Sequence, residues 1–138
     1  MANSDKPNGL TPIGTLSGSD YHGKMRPVAF AAGDAVAAYV GDLVKLTGTV
    51  DATGKIPVVA QSAAGDASIG VLVSLDFDAS DEGGLMTPLT RAASTARTGQ
   101  VVFGQDVLYK IQEDSDSNAI EITEAGLNCN IIVGTASN

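Results

Sequence analysis

What most limits the fold of this chain is its punctuation. From Val28 onward, short apolar runs are cut off by Gly, Asp, Asn and Ser before any reaches the length of an ordinary helix. Val28 to Phe30 opens the series. Leu43 to Thr47 follows the Gly41-Asp42 turn, and Ile56 to Ala60 follows the turn signal Asp51-Ala52-Thr53-Gly54. Pro57 places that third run at a sheet edge or a strand start, because proline cannot donate to a ladder. Ser68 to Leu75 is the strongest strand signal, short and nearly all apolar. Gln100–Phe103 and Val107–Ile111 add two more, Ala119–Thr123 alternates with period two, and Asn130–Val133 closes the series. The Ala-rich stretch Ala29–Val40 is the one helix competitor, and Gly33-Asp34 limits it to a short helix or turn around 34–40. Leu89–Ala96 fits either state. No repeat of 20–50 residues is present. Strands at short spacing between turns predict an all-β fold, a small β-barrel or β-sandwich of β-tulip or jelly-roll type.

The interior of such a fold must be built from small side chains. The 138 residues hold 19 Ala and 13 Val but no Trp, and aromatics make up 4%. Length alone fits one domain. The net charge of −8 argues against nucleic acid as a partner, since phosphate binding needs a basic footprint. It also argues against a polybasic membrane contact. No apolar run approaches the length of a membrane-spanning helix, and no basic start with an apolar core marks a leader. One cysteine allows no intrachain disulfide, and Cys129, beside an apolar run, reads as a buried structural thiol.

Charge and texture divide the chain. Residues 1–28 hold three basic and two acidic residues, a net of +1, whereas residues 29–138 hold five basic and fourteen acidic, a net of −9. Pro7, Pro12 and Pro27 and four glycines punctuate the first stretch, with Leu10, Ile13, Leu16 and Tyr21 scattered among them without period. Residues 1–27 are therefore expected to form an extended N-terminal arm that gains order on another surface, and residues 28–138 a β-rich body.

Chemistry is sparse. His22 is the only histidine and has no acidic cluster beside it in sequence, so neither a triad nor a His-rich metal site can be assembled. Gly48–Lys55 has five residues between its glycines, one more than a phosphate loop, and Ile56 where a metal-binding Ser or Thr is required; a hairpin is expected. Asp114, Asp116 and Asn118 resemble the start of a calcium loop, but Ala119 and Ala125 stand at the sharp-turn and bidentate positions. A polar loop is the favoured reading there, with a cation site as the alternative. Asp76, Asp78 and Asp81 read as a solvated tip, with a weaker metal alternative. No catalytic, cofactor-binding or metal residue is assigned, no cofactor is expected, and the chain is read as an interaction or structural protein and not an enzyme.

The residues also resemble a known family. The opening Met1 to Ile13, the segment Leu16-Ser17-Gly18-Ser19-Asp20-Tyr21-His22-Gly23, Gly41-Asp42-Leu43-Val44, the Gly54 turn, Ile69 to Val73, Ala93 to Arg97 and Asp106 to Asp114 resemble tailed-bacteriophage head decoration, or capsid cement, proteins. These motifs are structural and cover most of the chain. The resemblance implies a small β-barrel or β-sandwich that binds the outer surface of the icosahedral head and bridges major capsid protein subunits. It implies a homotrimer at three-fold positions, with a homodimer as the alternative, and an arm that reaches onto neighbouring subunits. On that reading Pro7, Leu10, Pro12, Ile13, Leu16 and Tyr21 are the expected capsid-contact residues. Family members commonly continue past the last strand, whereas this sequence stops at Ala136-Ser137-Asn138. The expectation from a different class is a virion-displayed module that binds a host surface or glycan, against which the low aromatic content speaks.

Overall fold

The computed structural model of the chain describes residues 9–19, 23–77, 89–112, 121–128 and 131. Among the described residues there are nine strands: β1 (Thr11–Thr15), β2 (Met25–Phe30), β3 (Ala38–Tyr39), β4 (Leu43–Val50), β5 (Pro57–Gln61), β6 (Gly70–Leu75), β7 (Thr90–Arg91), β8 (Arg97–Val102) and β9 (Val107–Lys110). Five of them close a barrel in the order β2-β5-β4-β6-β8. The β2–β5 contact is parallel, with Ala29 opposite Val58 and Phe30 opposite Val59. The other four contacts are antiparallel. Closure leaves none of the five with a free edge, which a flat sheet of the same strands would have at both sides.

Apolar runs become barrel strands because all five supply the same core. Val28 and Phe30 from β2, Val44 from β4, Val59 from β5, Leu72 and Leu75 from β6 and Val101 from β8 pack together with Ala38. In β6 both Val71 and Leu72 are buried, so the two faces of the strand are covered at that point. Pro57 is the first residue of β5, the position expected for it. Small residues set the strand spacing. A Cβ on Gly99 would lie 2.6 Å from the Ser74 carbonyl oxygen and 3.3 Å from the side chains of both Leu72 and Leu75. Glycine there lets β8 approach β6 beside the irregularity between Leu72 and Ser74.

Two short ribbons lie outside the barrel, β1 with β9 and β3 with β7. They account for most differences from the sequence reading. Residues 11–15 form strand β1 against β9, and Met25–Pro27 already belong to barrel strand β2. The expected boundary at residue 27 thus falls inside a barrel strand. The 34–40 region holds turns and β3 but no helix. Residues 122 and 123, expected as strand, belong instead to a 3-10 turn over Ile122–Glu124, in which the Glu121 amide donates to Glu124 Oε2 at 3.0 Å and Ile122 is 92% exposed. Alternation there served no buried face. Residues 119, 120, 130, 132 and 133 of the last expected strands lie outside the described residues.

One buried cation ties the β3–β7 ribbon to the barrel. The Arg91 side chain is fully buried. It donates from Nε to the Thr95 carbonyl (2.7 Å), from Nη1 to the Val36 carbonyl (2.6 Å) and to Asp34 Oδ2 (3.2 Å), and from Nη2 to the carbonyls of Ala31 (2.7 Å) and Asp34 (3.1 Å). Its guanidinium stands 5.3 Å from the centre of the Phe30 ring. Burial lowers its pKa from the usual value and the Asp34 carboxylate opposes that shift.

Candidate interaction surface

The β1–β9 ribbon and the residues that flank it leave several large apolar side chains exposed. Its inner face is fixed by the pair Thr15 and Val107, both buried. Side chains alternate along a strand, so Leu108, next to Val107, points the other way. Gly14 opposite it offers no side chain to cover it. Ile13 sits where the register slips between Pro12 and Gly14. Ile13 is 59%, Leu16 69%, Leu108 41% and Ile111 50% exposed.

The ribbon is held in place at both ends of β1. At the start, the Leu10 amide donates to the Gly41 carbonyl at 2.9 Å and the Leu10 side chain is buried. Gly9 has φ +66°, and a Cβ there would lie 2.7 Å from backbone atoms of Gly41, so only glycine fits the approach. At the end, residues 15–19 close a turn. The Thr15 amide donates to the Ser19 carbonyl at 3.1 Å, and Thr15 Oγ1 lies 2.8 Å from Ser17 Oγ and 2.7 Å from Ser19 Oγ. The Leu16 amide donates to the Asp106 carbonyl at 2.8 Å, which sets Leu16 at the tip. Lys24 forms an ion pair with Asp106 and holds that carboxyl below its ordinary pKa.

Of the six expected contact residues, the structure brings Pro12, Ile13 and Leu16 to this ribbon, with Pro12 half-buried. Leu10 is a correction: its burial against its own chain removes it from any external contact. Pro7 and Tyr21 lie outside the described residues, as do His22, Cys129, Asp78, Asp81 and the Asp114, Asp116 and Asn118 loop. Gly48–Lys55 lies in the β4–β5 hairpin, as expected. There Asp51 accepts from Thr53 Oγ1 at 2.6 Å and from the amides of Lys55 (3.1 Å) and Ile56 (2.9 Å), and these bonds pull its pKa down to about 2. Leu108 and Ile111 were read only as strand residues; the alternation of Val107–Lys110 would have marked Leu108 as facing away from Val107.

A second feature lies elsewhere on the barrel. A groove of about 650 Å³ is lined by the apolar side chains of Phe30, Val50, Val58 and Phe77, with Asp51, Asp76 and the buried Arg97 also in its lining. Val50 and Phe77 are each more than half exposed. Among the described residues no group of three or more His, Cys, Asp or Glu is placed to hold a metal ion, and no helix is long and apolar enough to cross a membrane. Comparison with family models, with curated proteins and with solved structures finds no match to this chain.

Proposed function

We propose that this chain is a capsid decoration protein of a tailed bacteriophage, acting by adhesion and not by catalysis. It binds the outer surface of the head as a homotrimer and bridges neighbouring major capsid protein subunits. The observation that carries the reading is the β1–β9 ribbon. It lies outside the barrel, is pinned at Leu10 and Leu16, and leaves Ile13, Leu16, Leu108 and Ile111 uncovered. Covering a Leu or Ile side chain is worth about 1.5–3 kcal/mol when complete. These four are already partly covered, so docking would gain about 4–6 kcal/mol before the costs of association. One such contact is weak, but many copies on one lattice, each bridging subunits, add through multivalency. The acidic body, net −9 over residues 29–138, repels the packaged genome and keeps the exterior soluble.

The test is co-sedimentation with expanded, undecorated heads. The native chain is expected to pellet with them, and Ile13→Asp with Leu108→Asp in one chain is expected to stay in the supernatant while melting at the same temperature. A native chain that never pellets overturns the function. A double variant that pellets like the native chain overturns the role of the ribbon.

A further inference from the structure

The groove and the start of β2 form a complementary pair at opposite ends of the same strand. Phe30, which walls the groove, is the last residue of β2 and pairs with Arg97; Met25 is the first and pairs with Val102. Five residue steps separate them, about 17 Å of extended chain. Around Met25 the sequence reads Lys24-Met25-Arg26, where two cations flank an apolar side chain that is about half exposed. The other described cations are differently placed: Lys45 is paired with Asp66, Arg91 and Arg97 are buried, and Lys55 and Lys110 have no exposed apolar neighbour between two cations. Arg26 is exposed with its guanidinium 5.7 Å from the Phe103 ring centre, and Lys24 is shared with Asp106. At the groove the order of charge is reversed. Two carboxylates, Asp51 and Asp76, stand beside the exposed apolar side chains Val50 and Phe77.

We propose that the groove of one copy of this chain receives the Lys24-Met25-Arg26 segment of the next. Met25 lies against Phe77 and Val50, and Arg26 faces Asp76 and Asp51. Both surfaces are on every copy but at opposite ends of β2, so the contact is head-to-tail. Such a contact closes into a ring when the rotation between copies allows it. The inference rests on the self-association proposed above, for which it names the two surfaces; it does not depend on what the β1–β9 ribbon binds.

Sedimentation of the full chain, with thermal melts to verify folding, tests it. The native chain is expected to sediment as a closed oligomer. Met25→Asp and Phe77→Asp each remove one half of the contact, and each alone is expected to weaken self-association by at least about tenfold. Mixed in equal amounts they retain one intact junction, Met25 of one variant in the Phe77 groove of the other, and are expected to give a one-to-one dimer and nothing larger. Arg26→Glu and Asp76→Arg provide a milder pair that spares the apolar contacts; each should weaken the oligomer, and both in one chain should restore it. A native chain that stays monomeric overturns this inference together with the proposed homotrimer. A native oligomer that neither pair of variants disturbs, or a mixture that stays monomeric, overturns the head-to-tail contact alone.

Discussion

Replacing Arg91 with Met keeps a long apolar stem between the β3–β7 ribbon and the barrel and removes the guanidinium fork. Four backbone carbonyls and the Asp34 carboxylate each lose a donor, although the Ala31 and Asp34 carbonyls keep the amides of Asp34 and Ser94 and the carboxylate keeps the Val36 amide. A hydrogen bond from a charged donor is worth about 1.5–3 kcal/mol net. Ala31 and Val36 are exposed residues, so water can replace some of what is lost, and about a third of the nominal total of about 7.5–15 kcal/mol for the five bonds is expected to show. That gives about 3–5 kcal/mol, the same range as breaking a buried ion pair from one side. Against a domain stability of about 5–15 kcal/mol this is a large fraction, and in urea it moves the midpoint down by about 2 M. Arg91→Lys keeps the charge but presents a single point instead of a fork, so about half of the loss should remain. Equilibrium urea unfolding of the three proteins measures both. A loss below about 1 kcal/mol for Arg91→Met would show that the 31–36 and 91–95 loops do not depend on this side chain.

Leu72, fully buried in the core, should cost about 2–5 kcal/mol on truncation to Ala, read by the same unfolding curves; a near-neutral result would remove it from the barrel interior. Asp51 has a folded pKa of about 2, below its ordinary 3.8. Its ionised form therefore favours the folded state, with the contribution complete above the unfolded pKa and lost as pH falls toward 2. Thermal melts should show a decline across that window that is shallower in Asp51→Ala, and equal slopes would refute the assignment. The Leu10 amide, bonded to the Gly41 carbonyl, should exchange slowly with solvent in the free protein, and Gly9→Ala should speed it by forcing a Cβ into Gly41. Fast exchange in the native chain would mean that the segment is not docked.

The all-β fold was legible because β4, β5 and β6 each carry an apolar run with a turn signal beside it, whereas the polar start of β8 (Arg97–Gly99) gave no such run. Strand β1 was hidden by Pro12 and Gly14, which break the period and ordinarily signal loop. Its pairing with β9 is set by a distant partner and by the Gly9–Gly41 approach, neither of which a local pattern encodes. The two-residue strands β3 and β7 are too short to carry a period at all. Arg91 gave no signal, since a lone arginine is ordinarily solvated; only the convergence of four carbonyls explains its burial. The stretch around Ile122 shows the converse, since its alternation of apolar and polar residues ends in an exposed 3-10 turn. Ile13 and Leu16 were legible as apolar residues out of place in a Pro/Gly-rich segment, whereas Leu108 and Phe77 needed the fold to show that nothing within the described residues covers them fully.

Electron microscopy of tailed-phage heads incubated with and without the protein tests the proposed adhesion to a capsid through the β1–β9 ribbon. Added density is expected on the outer surface at three-fold positions, one barrel per subunit, with Ile13, Leu16 and Leu108 turned toward the shell. Heads that show no added density, or barrels attached with that ribbon facing solvent, would contradict it.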